Sequence, residues 1–167
     1  MHQVHATMHT MATETERKFL LKDDSWNTGL SGTPYKQGYL ITSKERTVRV
    51  RIAGDHAYIT IKGPMKDGSL AKSEYEYEIP CSNAEELYDQ VCLPEKIEKT
   101  RYEIPYEGHI WEVDVFHGLN EGLVIAEVEL ADEHEPLVLP PWIGEEVSHD
   151  RRYFNGLLAK DPFFTWK

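Results

Sequence analysis

Between residues 14 and 131 the chain is written in short runs in which apolar and polar side chains alternate, the period-2 signature of half-buried antiparallel strands. Eight runs follow one another: 14–21, 35–42, 47–53, 57–63, 72–79, 97–104, 109–116 and 124–131. Most are separated by turn chemistry, such as Ala53-Gly54-Asp55, the GPMKDGS stretch at 63–69 and LNEG at 119–122. One helical insertion fits SNAEELYDQVCL, where Ser82 and Glu85 have the spacing of a capping box and Leu87, Val91 and Cys92 supply an apolar stripe. A last helix is expected after Pro140 and Pro141, with Ser148 as its N-cap and Phe154, Leu157 and Leu158 on one face.

The polar side of these runs is unusually uniform. Glu14, Glu16 and Lys18 share one face of the first strand, and Arg49 and Arg51 one face of the third, with Lys62 closing the fourth. Glu74, Glu76 and Glu78 line the fifth, Lys99, Arg101 and Glu103 the sixth, Glu112 and Asp114 the seventh, and Glu127 and Glu129 the eighth. A single strand of this kind is a solvated surface. Eight of them, with only two or three helices to cover the apolar side, favour turning the apolar residues outward under helices and loops and curling the charged face inward. By parity Trp111 then falls on the outward face, while Trp142 reads as a packing residue near the final helix. The expected fold is therefore mainly β (α+β): a closed eight-stranded antiparallel β-barrel forming a hydrophilic tunnel, with a few flanking helices.

Unpaired buried ions cost several kcal/mol each, so such an interior calls for water, balancing ions or a ligand. Alternate-position basic residues stand about 7 Å apart along a strand, a spacing suited to neighbouring phosphates of one chain. Acidic pairs beside them would repel a naked polyanion unless divalent cations lay between. Together the two sets predict a metal–polyphosphate complex, with Mg²⁺ or Mn²⁺ held by carboxylates and substrate phosphates. No P-loop motif is present, so side chains would build the site.

Composition narrows the partners. The 167 residues suit one domain, read here as 13–167 after a disordered extension at 1–12 that carries His2, His5 and His9. A net charge of -11 argues against nucleic acid or an anionic membrane docked on the surface. No run approaches the roughly 18 apolar residues of a membrane span. Two cysteines, Cys81 and Cys92, make no disulfide framework or metal motif, and the N-terminus has no export signal, so a cytoplasmic location is expected. A homodimer is left open.

Glu14-Thr15-Glu16-Arg17-Lys18 forms an E-x-E-x-K signature, followed in order by KQGYL at 36–40, VRVR at 48–51, Lys62, SEYEYEI at 73–79, EKTRY at 98–102, WEVDVF at 111–116, AEVEL at 126–130 and PPWIGEEVSHDRRY at 140–153. In this order and context the chain resembles the CYTH superfamily, the triphosphate tunnel metalloenzymes, and among them the small bacterial inorganic tripolyphosphatases. The resemblance implies that Lys18, Arg49, Arg51, Lys62 and Arg101 grip a triphosphate, with Lys99 close by and Arg151 adding a cation from the last helix. It implies Glu14, Glu16, Asp114, Glu127 and Glu129 as ligands of two metal ions, Mg²⁺ or Mn²⁺, one of which prepares a water near Glu127 and Glu129. Tyr39 is implied to pair with Lys18 near that water.

The activity so implied is metal-dependent hydrolysis of a small polyanionic substrate, inorganic tripolyphosphate to diphosphate and phosphate. Two alternatives stay open: an adenylate cyclase or a thiamine or nucleoside triphosphatase of the same superfamily, and a non-catalytic polyphosphate- or triphosphate-binding module. No aromatic clamp for a base or thiazole is evident in the sequence, which favours a site for the phosphate chain alone.

Overall fold

The computed structural model describes residues 15–43, 45–65, 72–132 and 134–166. It is mainly β, with nine strands: β1 (Thr15–Leu21), β2 (Thr33–Thr42), β3 (Thr47–Ala53), β4 (His56–Met65), β5 (Lys72–Glu78), β6 (Lys96–Tyr106), β7 (His109–Phe116), β8 (Val124–Leu130) and β9 (Ile143–Glu146). The first eight coincide with the eight alternating runs to within a few residues at each end. The chain divides into two compact units, Lys36–Lys96 in one, and Glu14–Tyr35 with Ile97–Lys167 in the other.

In the first unit the strand order is β5-β4-β3-β2, and the β3–β4 and β4–β5 ladders are antiparallel. One face packs on helix α1 (Cys81–Glu86) and the π-helical turn Leu87–Val91 that continues it. Val50, Ile52, Ala57, Ala84 and Tyr88 are the buried centre of that contact. The capping box does not form. Pro80 is the N-cap with its backbone already extended, Ala84 N–H donates to the Pro80 carbonyl at 3.1 Å, and Ser82 therefore falls inside the first turn. Gly38 on β2 is required by close approach, because a Cβ there would lie 2.7 Å from Cys92 Sγ.

In the second unit the order is β6-β7-β8-β1-β9. Strand parity sorts its side chains cleanly. Phe19, Trp111, Val113, Ala126, Val128 and Leu130 face one way and pack with Trp26, Trp142 and Ile143. Trp111 is fully buried between Phe19 and Trp142, at ring distances of 5.5 Å and 5.9 Å. Trp142 thus belongs to this apolar layer and not to the C-terminal turns, as the proline-rich segment before it brings it against β7. The opposite face is charged over most of its length and apolar at one end, where Ile97, Phe116, Leu123, Ile125 and Leu158 are buried together.

The closed eight-stranded barrel is corrected in two respects. There are nine strands, and the two ends of the strand order, β5 and β9, do not pair with each other among the described residues. The ninth strand arises at β1: β8 bonds one of its edges and β9 the other, through Phe19↔Glu146 and Leu21↔Ile143. Gly144 permits this, since a Cβ there would sit 2.9 Å from the Leu20 carbonyl oxygen.

The final helix is shorter than expected, a 3-10 turn at Arg151–Tyr153 followed by α2 at Asn155–Leu158. Asp150 caps it, accepting from Arg152 N–H at 3.0 Å. Ser148 is occupied elsewhere, with its hydroxyl accepting from Lys18 N–H at 3.0 Å and donating to Glu146 at 2.7 Å. Among the described residues no helix is long and apolar enough to cross a membrane.

The β6–β7 hairpin turns on Glu107 and Gly108, whose φ values of 45° and 83° are both positive, the conformation of a type I′ turn. Glu is a poor choice for a left-handed position, and Glu107 is exposed. Glu107→Asn, giving Asn-Gly, is expected to stabilise the protein by about 1 kcal/mol, a rise in thermal midpoint of about 2–4 °C by calorimetry.

Candidate functional site

Antiparallel register brings the charged side chains of each unit side by side. In the first unit Arg49 stands opposite Thr60 and Thr60 opposite Glu76, while Lys62 stands between Thr47 and Glu74, and Tyr58 between Arg51 and Glu78. Arg49 Nε donates to Thr60 Oγ1 at 3.4 Å, and that hydroxyl in turn donates to Glu76 Oε2 at 2.8 Å. Arg51 Nη2 reaches Glu76 Oε1 at 2.9 Å, and Lys62 Nζ reaches Glu74 at 2.8 Å. Burial works to raise the Glu74 pKa, but Lys62, Arg49 and Arg51 together hold it below the ordinary carboxylate range. Thr60, fully buried, is a member of this cluster that no motif flagged; its only signal was parity, midway between Tyr58 and Lys62.

The second unit carries a tighter cluster. Lys18 stands opposite Glu127, Glu127 opposite Glu112, Arg101 opposite Asp114, and Glu16 opposite Glu129. The Lys18 ammonium is shared by Glu16 and Glu127. Arg101 donates from Nε and Nη2 to the two oxygens of Asp114, at 2.7 Å each, from Nη2 also to Glu127 at 2.9 Å, and from Nη1 to Glu112. Four of its five N–H donors are thereby engaged. Lys99 lies deep, its side chain 1% exposed and bound to Asp114 Oδ2, the oxygen that also accepts from Arg101 Nη2.

Charge and burial compete at every member. Burial opposes the charge on Lys18, yet Glu127 and Glu16 overcome it and raise the pKa above the ordinary lysine value. Glu127 likewise pays for burial, but Lys18, Lys99 and Arg101 hold it well below the usual carboxylate range. For Lys99 burial wins over Asp114 and lowers the pKa. For Glu112 burial wins over Arg101 and raises it. Three cations face four carboxylates, so the cluster has a formal surplus of one negative charge.

The remaining sequence-predicted residues are spread out. Glu14 lies outside the described residues. Glu129 is exposed on β8. Tyr39 is buried in β2, its carbonyl accepting from Leu93 N–H at 2.8 Å. Arg151 is exposed in the 3-10 turn, beside an open cavity that it lines with His149 and Tyr153.

Oxygen-only carboxylates are the donor chemistry of Mg²⁺ or Mn²⁺, and two of them, Glu16 and Glu127, converge on one point. At that point they hold the Lys18 ammonium, and among the described residues no three acidic, His or Cys side chains are grouped for a metal ion. In chemistry these carboxylates suit a hard divalent cation; in position Asp114 is tied to Lys99 and Arg101, and Glu129 lies exposed on β8.

Residues 12–155 match the CYTH domain family model. The chain belongs to the CYTH domain family. The inorganic triphosphatase of Acetivibrio thermocellus is 45% identical over 157 residues, covering 94% of this chain and 99% of that protein. The inorganic triphosphatase of Nitrosomonas europaea is 38% identical over 153 residues, covering 88% and 97%. A solved structure of an inorganic triphosphatase superposes with a TM-score of 0.67 at 35% identity, covering 90% of this chain and 97% of the other.

Lys18 is also fixed through its backbone, its carbonyl accepting from Val147 N–H at 2.8 Å just beyond β9. A second tie joins β9 to β1: Arg17 donates to Glu146 through Nε at 2.9 Å and Nη2 at 2.6 Å. These bonds to Arg17 lower the Glu146 pKa from 4.5 to about 2. The sign follows from that depression: the pair's contribution to stability is complete above pH 4.5 and is lost as pH falls toward 2. The gap in thermal midpoint between the wild type and Glu146→Gln is therefore expected to be full at neutral pH and to close in acid. Both partners are about one-third exposed, so the gap is small.

Proposed function

We propose that this CYTH protein hydrolyses inorganic tripolyphosphate to diphosphate and orthophosphate with the help of a divalent cation. The observation that carries the reading is the internal cluster in which Lys18 and Arg101 share Glu127, in a chain whose relatives include named inorganic triphosphatases.

The physical argument is one of charge. Phosphoryl transfer requires mostly positioning and the neutralisation of charge spread over oxygens, with no covalent nucleophile. Arginine forks and lysine ammonium groups suit phosphate oxygens, and Arg49, Arg51, Lys62, Lys18 and Arg101 are assigned to them. Lys99 sits behind Arg101 and neutralises Asp114. Arg151, on the exposed turn, is assigned to the approach of the substrate. With one negative charge in surplus, the Lys18–Arg101 cluster on its own would repel a polyanion. Mg²⁺ or Mn²⁺ on Glu14, Glu16, Asp114, Glu127 and Glu129 would reverse that sign, and when bound it supplies Lewis-acid polarisation of a phosphoryl oxygen and a more acidic water. Release of Lys18 from Glu16 and Glu127, as those acids turn to the metal, would free its ammonium for the phosphate.

Phosphate release from tripolyphosphate, ATP, thiamine triphosphate and long-chain polyphosphate, each with Mg²⁺ and with Mn²⁺, tests the reading. Tripolyphosphate is expected to be turned over fastest, chelation to abolish turnover, and Arg49→Ala to lower kcat by about 10²–10³-fold. Near wild-type turnover by both Arg49→Ala and Glu16→Gln would sink the mechanism. Cyclic AMP from ATP would replace it with a cyclase, and metal-dependent thermal stabilisation without phosphate release would replace it with a binding module.

A further inference from the structure

The cations of the charged cluster are held by more than carboxylates. In the second unit the Phe154 ring lies 5.8 Å from Lys18 Nζ, and the Tyr35 ring lies 5.3 Å from the Arg101 guanidinium carbon and 5.8 Å from Lys99 Nζ. Phe116 covers Lys99 from a further direction at 5.6 Å. The first unit repeats the device, with Tyr58 5.1 Å from the Arg51 guanidinium carbon. These distances fall within the range in which a ring face attracts a cation.

The rings take what the acids leave. Arg101 spends four of five donors along the edges of its plane on Asp114, Glu127 and Glu112, and its guanidinium carbon lies over the Tyr35 ring. Lys18 has carboxylates on two sides and is 8% exposed, with Phe154 against it from the C-terminal segment. A further carboxylate in place of either ring would steady the cation equally well, but it would deepen a negative surplus that already opposes a polyanion. An aromatic face steadies a cation without adding charge.

We infer that Tyr35 and Phe154 are positioning residues: their ring faces hold Arg101 and Lys18 in place when the carboxylates are drawn away and the phosphate chain enters. Neither residue needs to touch substrate. Neither belongs to the E-x-E-x-K signature or to the alternating charged positions. The inference rests on the triphosphatase reading for its catalytic consequence, and on the ring geometry for its physical basis.

The test compares kcat and KM for tripolyphosphate with Mg²⁺ in Tyr35→Leu, Tyr35→Phe, Phe154→Leu and Phe154→Tyr, with a thermal midpoint for each. Leucine keeps apolar bulk and removes the ring face; the aromatic replacements keep the face. The leucine variants are expected to lose about 2- to 30-fold in kcat/KM, the range for a lost cation–π contact, while the aromatic ones stay close to wild type. Leucine variants as active as the wild type would overturn the proposal. So would aromatic variants that fall as far as the leucine ones. A double-mutant cycle of Lys18→Met with Phe154→Leu, read by urea unfolding, separates the two levels. If the wild type hydrolyses none of the substrates, the triphosphatase reading fails, while non-additive unfolding midpoints would still support the ring contact and additive ones would overturn it.

Discussion

Glu127 is 3% exposed and holds Lys18 on one oxygen and Arg101 on the other. A carboxylate in that position is stable only if both lone-pair sets are matched, because removing one partner from a buried pair typically costs about 3–5 kcal/mol. That requirement fixes the register of β8 against β1 and β7. A slip of one residue would send Glu127 to the apolar layer and Val128 to the charged one. The same constraint runs on through Arg101 to Asp114 and Lys99, so four strands of the second unit are registered by one chain of matched charges.

Two faces of one sheet answer to different physics. On the apolar face Phe19, Trp111 and Trp142 pack ring against ring, and the free energy comes from area removed from water. On the charged face the gain is smaller and the specificity larger, since ion pairs with well-packed hydrophobic replacements would often be neutral or stabilising. Retaining ten acids and six bases in alternation is therefore hard to explain by folding alone. The proposed exchange of internal counter-ions for a metal and a polyanion would explain it. The first unit pairs its charges in the same way at greater exposure, with Thr60 as the neutral bridge between Arg49 and Glu76.

The ends of the chain's regular elements were the least legible. Ser82 and Ser148 both have the chemistry of an N-cap, and neither caps a helix: α1 already begins at Cys81, after Pro80, which places Ser82 inside its first turn, and Asp150 accepts from Arg152 N–H at the start of the 3-10 turn. Ser148 is held by Lys18 and Glu146, 130 and 2 residues away, a partnership that no local pattern encodes. The short β9 was missed for a related reason. Ile143–Glu146 has no alternation to speak of, and it becomes a strand only because β1 offers an open edge and Gly144 lets the backbones meet.

Strand identity, face and charge were decided locally. Alternation has period 2 whatever the tertiary context, so the eight runs, their apolar side and the residues Lys18, Arg49, Arg51, Lys62, Lys99 and Arg101 were legible from the sequence, as was membership in the CYTH family from the order of its motifs. Which acid meets which base was not, since pairing depends on register between strands up to 109 residues apart, as for Lys18 and Glu127. Nor was the edge that β9 occupies, the π-helical turn after α1, or the rings of Tyr35 and Phe154 over their cations. Each of these is a contact between segments remote in sequence, and only the folded chain brings them within reach.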